Sequence, residues 1–113
     1  MAMAPQKPRL SIAAYLERVR DEIARLDDGQ VESVCDLIER AYLDGRRVFL
    51  CGNGGSGANA SHLAEDLAKG TLSDFDTRRQ KRLKVIALTD ATPAILAWGN
   101  DGGYDAIFVA QLT

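Results

Sequence analysis

The sequence predicts an α/β fold, an open parallel sheet with flanking helices that is incomplete in this chain. Three observations carry this expectation. Two short apolar runs, Arg47 to Cys51 and Leu83 to Leu88, read as strands covered on both faces, as in a parallel sheet. Segments with apolar residues at helical spacing precede, separate and follow them. A Gly/Asn/Ser-rich loop joins the first strand to the helix after it.

Each element has its own signal. Residues 1 to 10 hold two prolines and mixed polarity and read as a flexible arm. Ser11 can cap a helix reaching about Leu26, with Ile12, Tyr15, Leu16, Val19, Ile23 and Leu26 on one face. Asp27-Asp28-Gly29 breaks it. A second helix follows, with Val31, Val34, Cys35, Ile38, Ala41 and Tyr42 on one face and Gly45 as its stop. After the first strand, Gly57 to Lys69 is expected to be helical, capped by Ser56 and closed by Gly70. Thr71 to Arg82 is polar and reads as a loop. Thr92-Pro93 is a cap followed by proline at the first helical position, and that helix should end at Gly99. Asn100-Asp101-Gly102-Gly103 reads as a turn, and Tyr104 to Leu112 as a last helix. Only two strands are visible and no closing strand follows. Residues 11–113 therefore read as the N-terminal part of a single domain, led by two helices over 11–45.

Composition narrows the function classes. Apolar residues make up 46% and charged residues 27% of 113 residues, with a formal charge of -2. That balance gives no general attraction to nucleic acid or membrane surfaces. No apolar run approaches a membrane span, and the first nine residues lack the apolar core of a secretory signal. Two cysteines, Cys35 and Cys51, are too few for a disulfide framework and read as buried free thiols. A cytoplasmic location is expected.

The loop Gly52-Asn53-Gly54-Gly55-Ser56-Gly57 is the most informative stretch. A strand, a glycine-rich loop and a helix N-terminus in that order present backbone N–H groups to an anion, usually a phosphate. Gly52, Gly54 and Gly57 also match G-x-G-x-x-G, the dinucleotide fingerprint. That fingerprint wants an acidic residue at the end of the next strand, about 20 positions on. Here that distance falls on Asp74 and Asp76 in a loop, and the next strand ends only at Asp90. No Lys-Ser/Thr follows Gly57, so the Walker pattern is absent. The plain alternative is a turn that merely joins strand to helix. Asn53 and Ser56 add side-chain donors, which favours a phosphorylated sugar or a similar anion.

Cys51 to Ser56, followed by Ser61-His62-Leu63-Ala64-Glu65-Asp66-Leu67, resembles the sugar isomerase (SIS) domain family. Ala87-Leu88-Thr89-Asp90 and the segment Gly99 to Phe108 continue the likeness, which runs from the two leading helices to the end. Within the family the chain is most similar to the phosphoheptose isomerases. The resemblance implies an SIS-type fold, a flavodoxin-like three-layer sandwich. It implies aldose–ketose isomerisation of a phosphosugar such as sedoheptulose 7-phosphate. Asn53, Gly54 and Gly55 map onto its substrate-binding loop, with Ser56 placed to help, and Asn100 and Asp101 map onto a second sugar contact. The family's zinc-binding histidine and glutamate map to His62 and Asp66, and that carboxylate also acts in proton transfer, which makes Asp66 the candidate catalytic residue. Spacing i, i+4 sets both on one helix face. Aspartate is one methylene shorter than glutamate, and Glu65 lies about 100° away around the helix. The rest of the family's set, a serine-rich loop with a glutamine and a histidine, is expected beyond Thr113. Homodimers or homotetramers are implied, which suits the wide apolar faces of the first two helices.

Other readings of these residues stay open. His62, the single histidine, can serve as a structural hydrogen-bonder, and Glu65 and Asp66 as solvated charges. The Asn100–Gly103 segment is good turn chemistry in itself. Arg78, Arg79, Lys81, Arg82 and Lys84 lack interleaved aromatics and read as a solvated loop, so nucleic acid is not expected as a partner. Trp98 and Tyr104 read as core or interface residues. A non-catalytic SIS module, binding phosphosugars or a protein partner as a replication-initiator-associating relative does, is the alternative function. Dinucleotide binding ranks behind both.

Overall fold

The structure is a computed structural model that describes residues 10–73 and 80–113. The expected arm therefore lies almost wholly outside the described residues, as do Asp74, Asp76, Arg78 and Arg79. The chain divides into two compact units, Met1–Cys35 and Asp36–Thr113.

The first unit holds helix α1, Ile12–Ala24, and the start of α2, Asp28–Leu43. Ser11 caps α1 as expected, its hydroxyl accepting from the Ala14 N–H at 3.1 Å. Asp27 does the same for α2, its carboxylate accepting from the Gln30 N–H at 3.1 Å. The predicted break is thus a cap, and Asp28 and Gly29 already belong to the helix. No residue of α1 is buried; Ile12, Tyr15, Leu16, Ile23 and Leu26 are all exposed.

The second unit begins within α2, which ends at Gly45 in a left-handed conformation, φ +69°. Arg46 N–H bonds to Ala41 C=O at 2.8 Å and Gly45 N–H to Tyr42 C=O at 3.2 Å, the paired closure of a Schellman motif. The sequence reads Lys81 and Lys84 as part of a solvated loop. Instead their ammonium groups bond to the Leu43 and Gly45 carbonyls at 2.7 and 3.0 Å, where positive charge suits the helix end. Lys81 also lies over the Tyr42 ring.

Strands β1, Arg47–Leu50, and β2, Lys84–Ala87, pair in parallel with Phe49 opposite Ile86. Helix α3, Gly55–Glu65, runs between them in sequence and contacts both. Ala60 and Ala64 of α3 are buried with Leu83, Ala87, Leu88 and Ile107, forming the core of this unit. Side chains alternate across a sheet, so Phe49 and Ile86 share the other face and stay 45% and 44% exposed. The sequence predicts cover on both faces; among the described residues of this unit the Phe49–Ile86 face stays largely exposed. Both cysteines are likewise exposed rather than buried, because Cys51 lies past the strand end and Cys35 on a helix without buried residues.

Several boundaries differ from expectation. Gly54 rather than Ser56 is the N-cap of α3, and the α-helix passes at Asp66 into a π-helical turn, Asp66–Gly70. A 3₁₀ turn, Leu88–Asp90, leads to α4, Thr92–Asp101, with proline in its first turn. Gly99 does not stop α4. The helix closes one turn later, with Gly102 N–H on the Trp98 carbonyl at 2.8 Å and Gly103 at φ +85°. The last helix shrinks to α5, Ala106–Val109, flanked by i→i+3 turns.

Candidate functional site

The glycine loop folds as it does because two backbones meet there. A Cβ on Gly52 would sit 2.4 Å from the Ser56 carbonyl carbon and oxygen, so only glycine lets the strand end approach the helix start. Gly54 takes φ +60° and ψ −124°, a region that side-chain-bearing residues avoid. Ser56 ties the loop to itself. Its hydroxyl accepts from the Asn53 N–H and donates to the Asn53 carbonyl, both at 2.9 Å. The first helical bond of α3 runs from Ala58 N–H to Gly54 C=O at 3.1 Å. The amides of Gly55, Ser56 and Gly57 come before it and have no acceptor in the helix. With no cap side chain on Gly54, they form a donor cluster at the positive end of the helix dipole.

A cavity of about 350 Å³ opens beside this loop. It is lined by the loop residues Gly52, Asn53, Gly54 and Gly57, by Ser61 and Thr89, and by Tyr104 with the apolar side chains of Ile95, Ile107 and Phe108. Asn53 reaches across, its Nδ2 donating to the Tyr104 hydroxyl at 2.7 Å. Ser61 donates to the Asp90 carboxylate by a short hydrogen bond and lies 3.3 Å from Thr89 Oγ1 and 3.2 Å from the Gly57 carbonyl. A hydroxyl has one proton, and the carboxylate, as the charged and nearer acceptor, takes it. Ser61 therefore offers lone pairs, not a proton, to anything in the cavity.

The sequence-derived candidates divide. Asn53 and Gly54 line the cavity, while Gly55 and Ser56 stand just behind them in the first turn of α3. Asn100 and Asp101 close the end of α4, bonded to each other at 2.8 Å, and do not line it. His62 and Asp66 continue the i, i+4 row that begins at the cavity-lining Ala58. Their Nε2 and Oδ2 atoms are 3.6 Å apart, and the side chains are 75% and 64% exposed. Glu65 pairs instead with Lys69 at 3.1 Å.

The donor atoms of His62 and Asp66 stand close to the spacing of two corners of a tetrahedral zinc site, about 3.4 Å for bonds near 2.1 Å. A catalytic zinc takes three protein ligands, and no group of three metal-binding side chains occurs among the described residues. The pair would supply two of those three ligands.

Ser61, Thr89, Asp90 and Tyr104 were missed as site residues. Ser61 and Asp90 were visible only as part of a motif, and the signal that unites them is tertiary. Tyr104, read as core or interface, is 63% exposed, and Trp98 is 44% exposed.

Comparison with known proteins gives the family and the fold. The family model described as SIS domain matches residues 11–113. The chain is 36% identical over 99 residues to a phosphoheptose isomerase from Pelodictyon phaeoclathratiforme, covering 88% of this chain and 46% of that protein. A phosphoheptose isomerase from Campylobacter concisus is 40% identical over 83 residues, 74% of this chain and 41% of its own length. Among solved structures, the phosphoheptose isomerase GmhA from Neisseria gonorrhoeae superposes with a TM-score of 0.67 at 30% identity, covering 88% of this chain and 50% of that one. The chain thus spans about half the length of the relatives it matches.

Proposed function

The chain belongs to the SIS domain family, and we propose that the protein is a phosphosugar isomerase that interconverts an aldose and a ketose, with sedoheptulose 7-phosphate as its substrate. The observation that carries this reading is the start of α3, where Gly57 lines a cavity shared with Asn53, Ser61 and Thr89 and Gly55 and Ser56 stand just behind it, in a chain similar to phosphoheptose isomerases. The amides suit an anionic or oxygen-rich ligand. Asn53 and the lone pairs of Ser61 suit sugar hydroxyls, with Gly54 and Gly55 leaving the approach clear of side chains; Asn100 and Asp101, outside the cavity lining at the end of α4, are nominated as further sugar contacts.

Isomerisation moves a proton between neighbouring carbons. Asp66 is the carboxylate nominated to hold or release that proton, with His62 beside it. Both are also nominated as zinc ligands, to be joined by donors beyond the described residues. Zinc, when bound, acts as a Lewis acid on a substrate oxygen. The test is to incubate the whole protein with sedoheptulose 7-phosphate and zinc and follow aldoheptose phosphate. Turnover is expected; none from a folded, zinc-loaded protein would sink the enzymatic claim.

A second reading is a binding module that holds a phosphosugar without turning it over. The two-donor His62–Asp66 pair, with its short aspartate, favours it. In that case purified protein carries no zinc and His62→Ala leaves phosphosugar affinity unchanged.

The protein is also proposed to act as a homodimer or homotetramer through the exposed face of α1 that carries Ile12, Tyr15 and Ile23. Apolar side chains gathered on one face are commonly covered by a partner. Sedimentation should give a multiple of the chain mass, and Ile23→Asp should lower it. No described helix is long and apolar enough to cross a membrane, and a cytoplasmic location accompanies the isomerase reading.

A further inference from the structure

The Gly102-Gly103 turn delivers Tyr104 to the glycine loop, and what it does there is not explained by packing. Gly103 at φ +85° reverses the chain after α4. At Gly102 a Cβ would meet the Ala106 Cβ at 3.0 Å, so this turn is fitted closely to α5. The backbone of Tyr104 is then held by the Ile107 N–H on its carbonyl at 3.3 Å. Its ring stays 63% exposed, too open to be there for burial alone. Its hydroxyl, however, meets Asn53 Nδ2 at 2.7 Å across 51 residues of sequence.

Among the described residues, the other hydrogen bonds of Asn53 are those of its backbone. Ser56 Oγ takes both its N–H and its carbonyl. Those two bonds leave χ1 and χ2 of Asn53 free to turn. The Tyr104 hydroxyl restrains the carboxamide. In this bond the Tyr104 hydroxyl is the acceptor and the carboxamide the donor.

We propose that Tyr104 is a positioning residue that locks the Asn53 carboxamide toward the ligand. The proposal rests on the phosphosugar reading above for the identity of the ligand, and on the Asn53–Tyr104 geometry for the rest. In its absence Asn53 must be ordered at the moment of binding, which costs affinity.

A double-mutant cycle on the whole chain tests this, with sedoheptulose 7-phosphate as the titrant. Tyr104→Phe keeps the ring and removes only the hydroxyl, so thermal unfolding should not move. Its Kd should rise about three- to ten-fold, the range of one net hydrogen bond. Asn53→Ala should weaken binding as well, and the double variant should bind no more weakly than Asn53→Ala alone. An unchanged Kd in Tyr104→Phe, or penalties that multiply in the double variant, would overturn the positioning role. Should the unaltered chain fail to bind sedoheptulose 7-phosphate, the phosphosugar reading falls separately. The Asn53 side-chain amide resonances then decide this proposal. Held by the hydroxyl, they move toward free-carboxamide positions in Tyr104→Phe; unmoved, they refute it.

Discussion

Gly52 and Gly57 meet backbone to backbone where β1 gives way to α3: the Gly52 carbonyl oxygen lies 3.0 Å from where a Cβ on Gly57 would sit. The contact is reciprocal, since a Cβ on Gly52 would fall 2.6 Å from the Gly57 nitrogen. These two positions set the angle at which the helix N-terminus faces the cavity.

Gly52→Ala should therefore destabilise the chain by at least about 2 kcal/mol, because the clash is with backbone that cannot rotate away. Urea unfolding followed by circular dichroism measures it. A midpoint equal to that of the unaltered chain would mean the strand end and helix start are not in this contact.

Gly54 and Gly55 separate conformational strain from ligand access. Gly54 sits at φ +60°, whereas Gly55 has a negative φ and nothing within 4 Å of its would-be Cβ. Gly54→Ala should cost about 1–3 kcal/mol through backbone strain. Gly55→Ala should leave stability unchanged or slightly raised, by up to about 1 kcal/mol, since alanine suits a helix better than glycine. If the ligand lies against the amides of this turn, Gly55→Ala nevertheless weakens binding. Parallel unfolding and titration curves on the two variants check both halves.

The Ser61–Asp90 bond joins α3 to the end of the 3₁₀ turn. Ser61→Ala and Asp90→Ala should each cost about 0.5–1.5 kcal/mol, and the double variant less than their sum. Strict additivity in urea unfolding would show that the two side chains do not share one interaction.

His62→Ala and Asp66→Ala should each lower zinc bound to the whole protein by ten-fold or more in affinity, with other variants of α3 unaffected. Equilibrium dialysis with metal quantification reads this directly. Equal zinc uptake by all variants would remove both residues from any metal site.

Much of the fold was legible because the signals were local. Ser11 as a cap, Gly45 as a stop and the strand–glycine loop–helix order each depend on neighbours in sequence. What failed depended on tertiary facts. Gly99 looks like a stop, but Trp98 and Gly102 bond across it and α4 continues. Ser56 looks like a cap, but its hydroxyl is taken up by Asn53. Lys81 and Lys84 look like solvated charge, but they meet the carbonyls at the end of α2. The loop half of the candidate site, Asn53 to Ser56, could be read from the strand–loop–helix order and the family resemblance. Its opposite wall, Ser61 with Asp90 and Tyr104 with Asn53, is built from pairs 29 and 51 residues apart, and no spacing rule announces those.

The most direct test of the loop as a phosphosugar cradle is a titration of the isotope-labelled chain with sedoheptulose 7-phosphate, read at each backbone amide. Saturable shifts centred on Gly55, Ser56 and Gly57, with the Asn53 side-chain amide moving in step, are the predicted result. A folded chain whose loop amides stay still while the sugar phosphate is raised to saturation elsewhere, or binds nowhere, would contradict it.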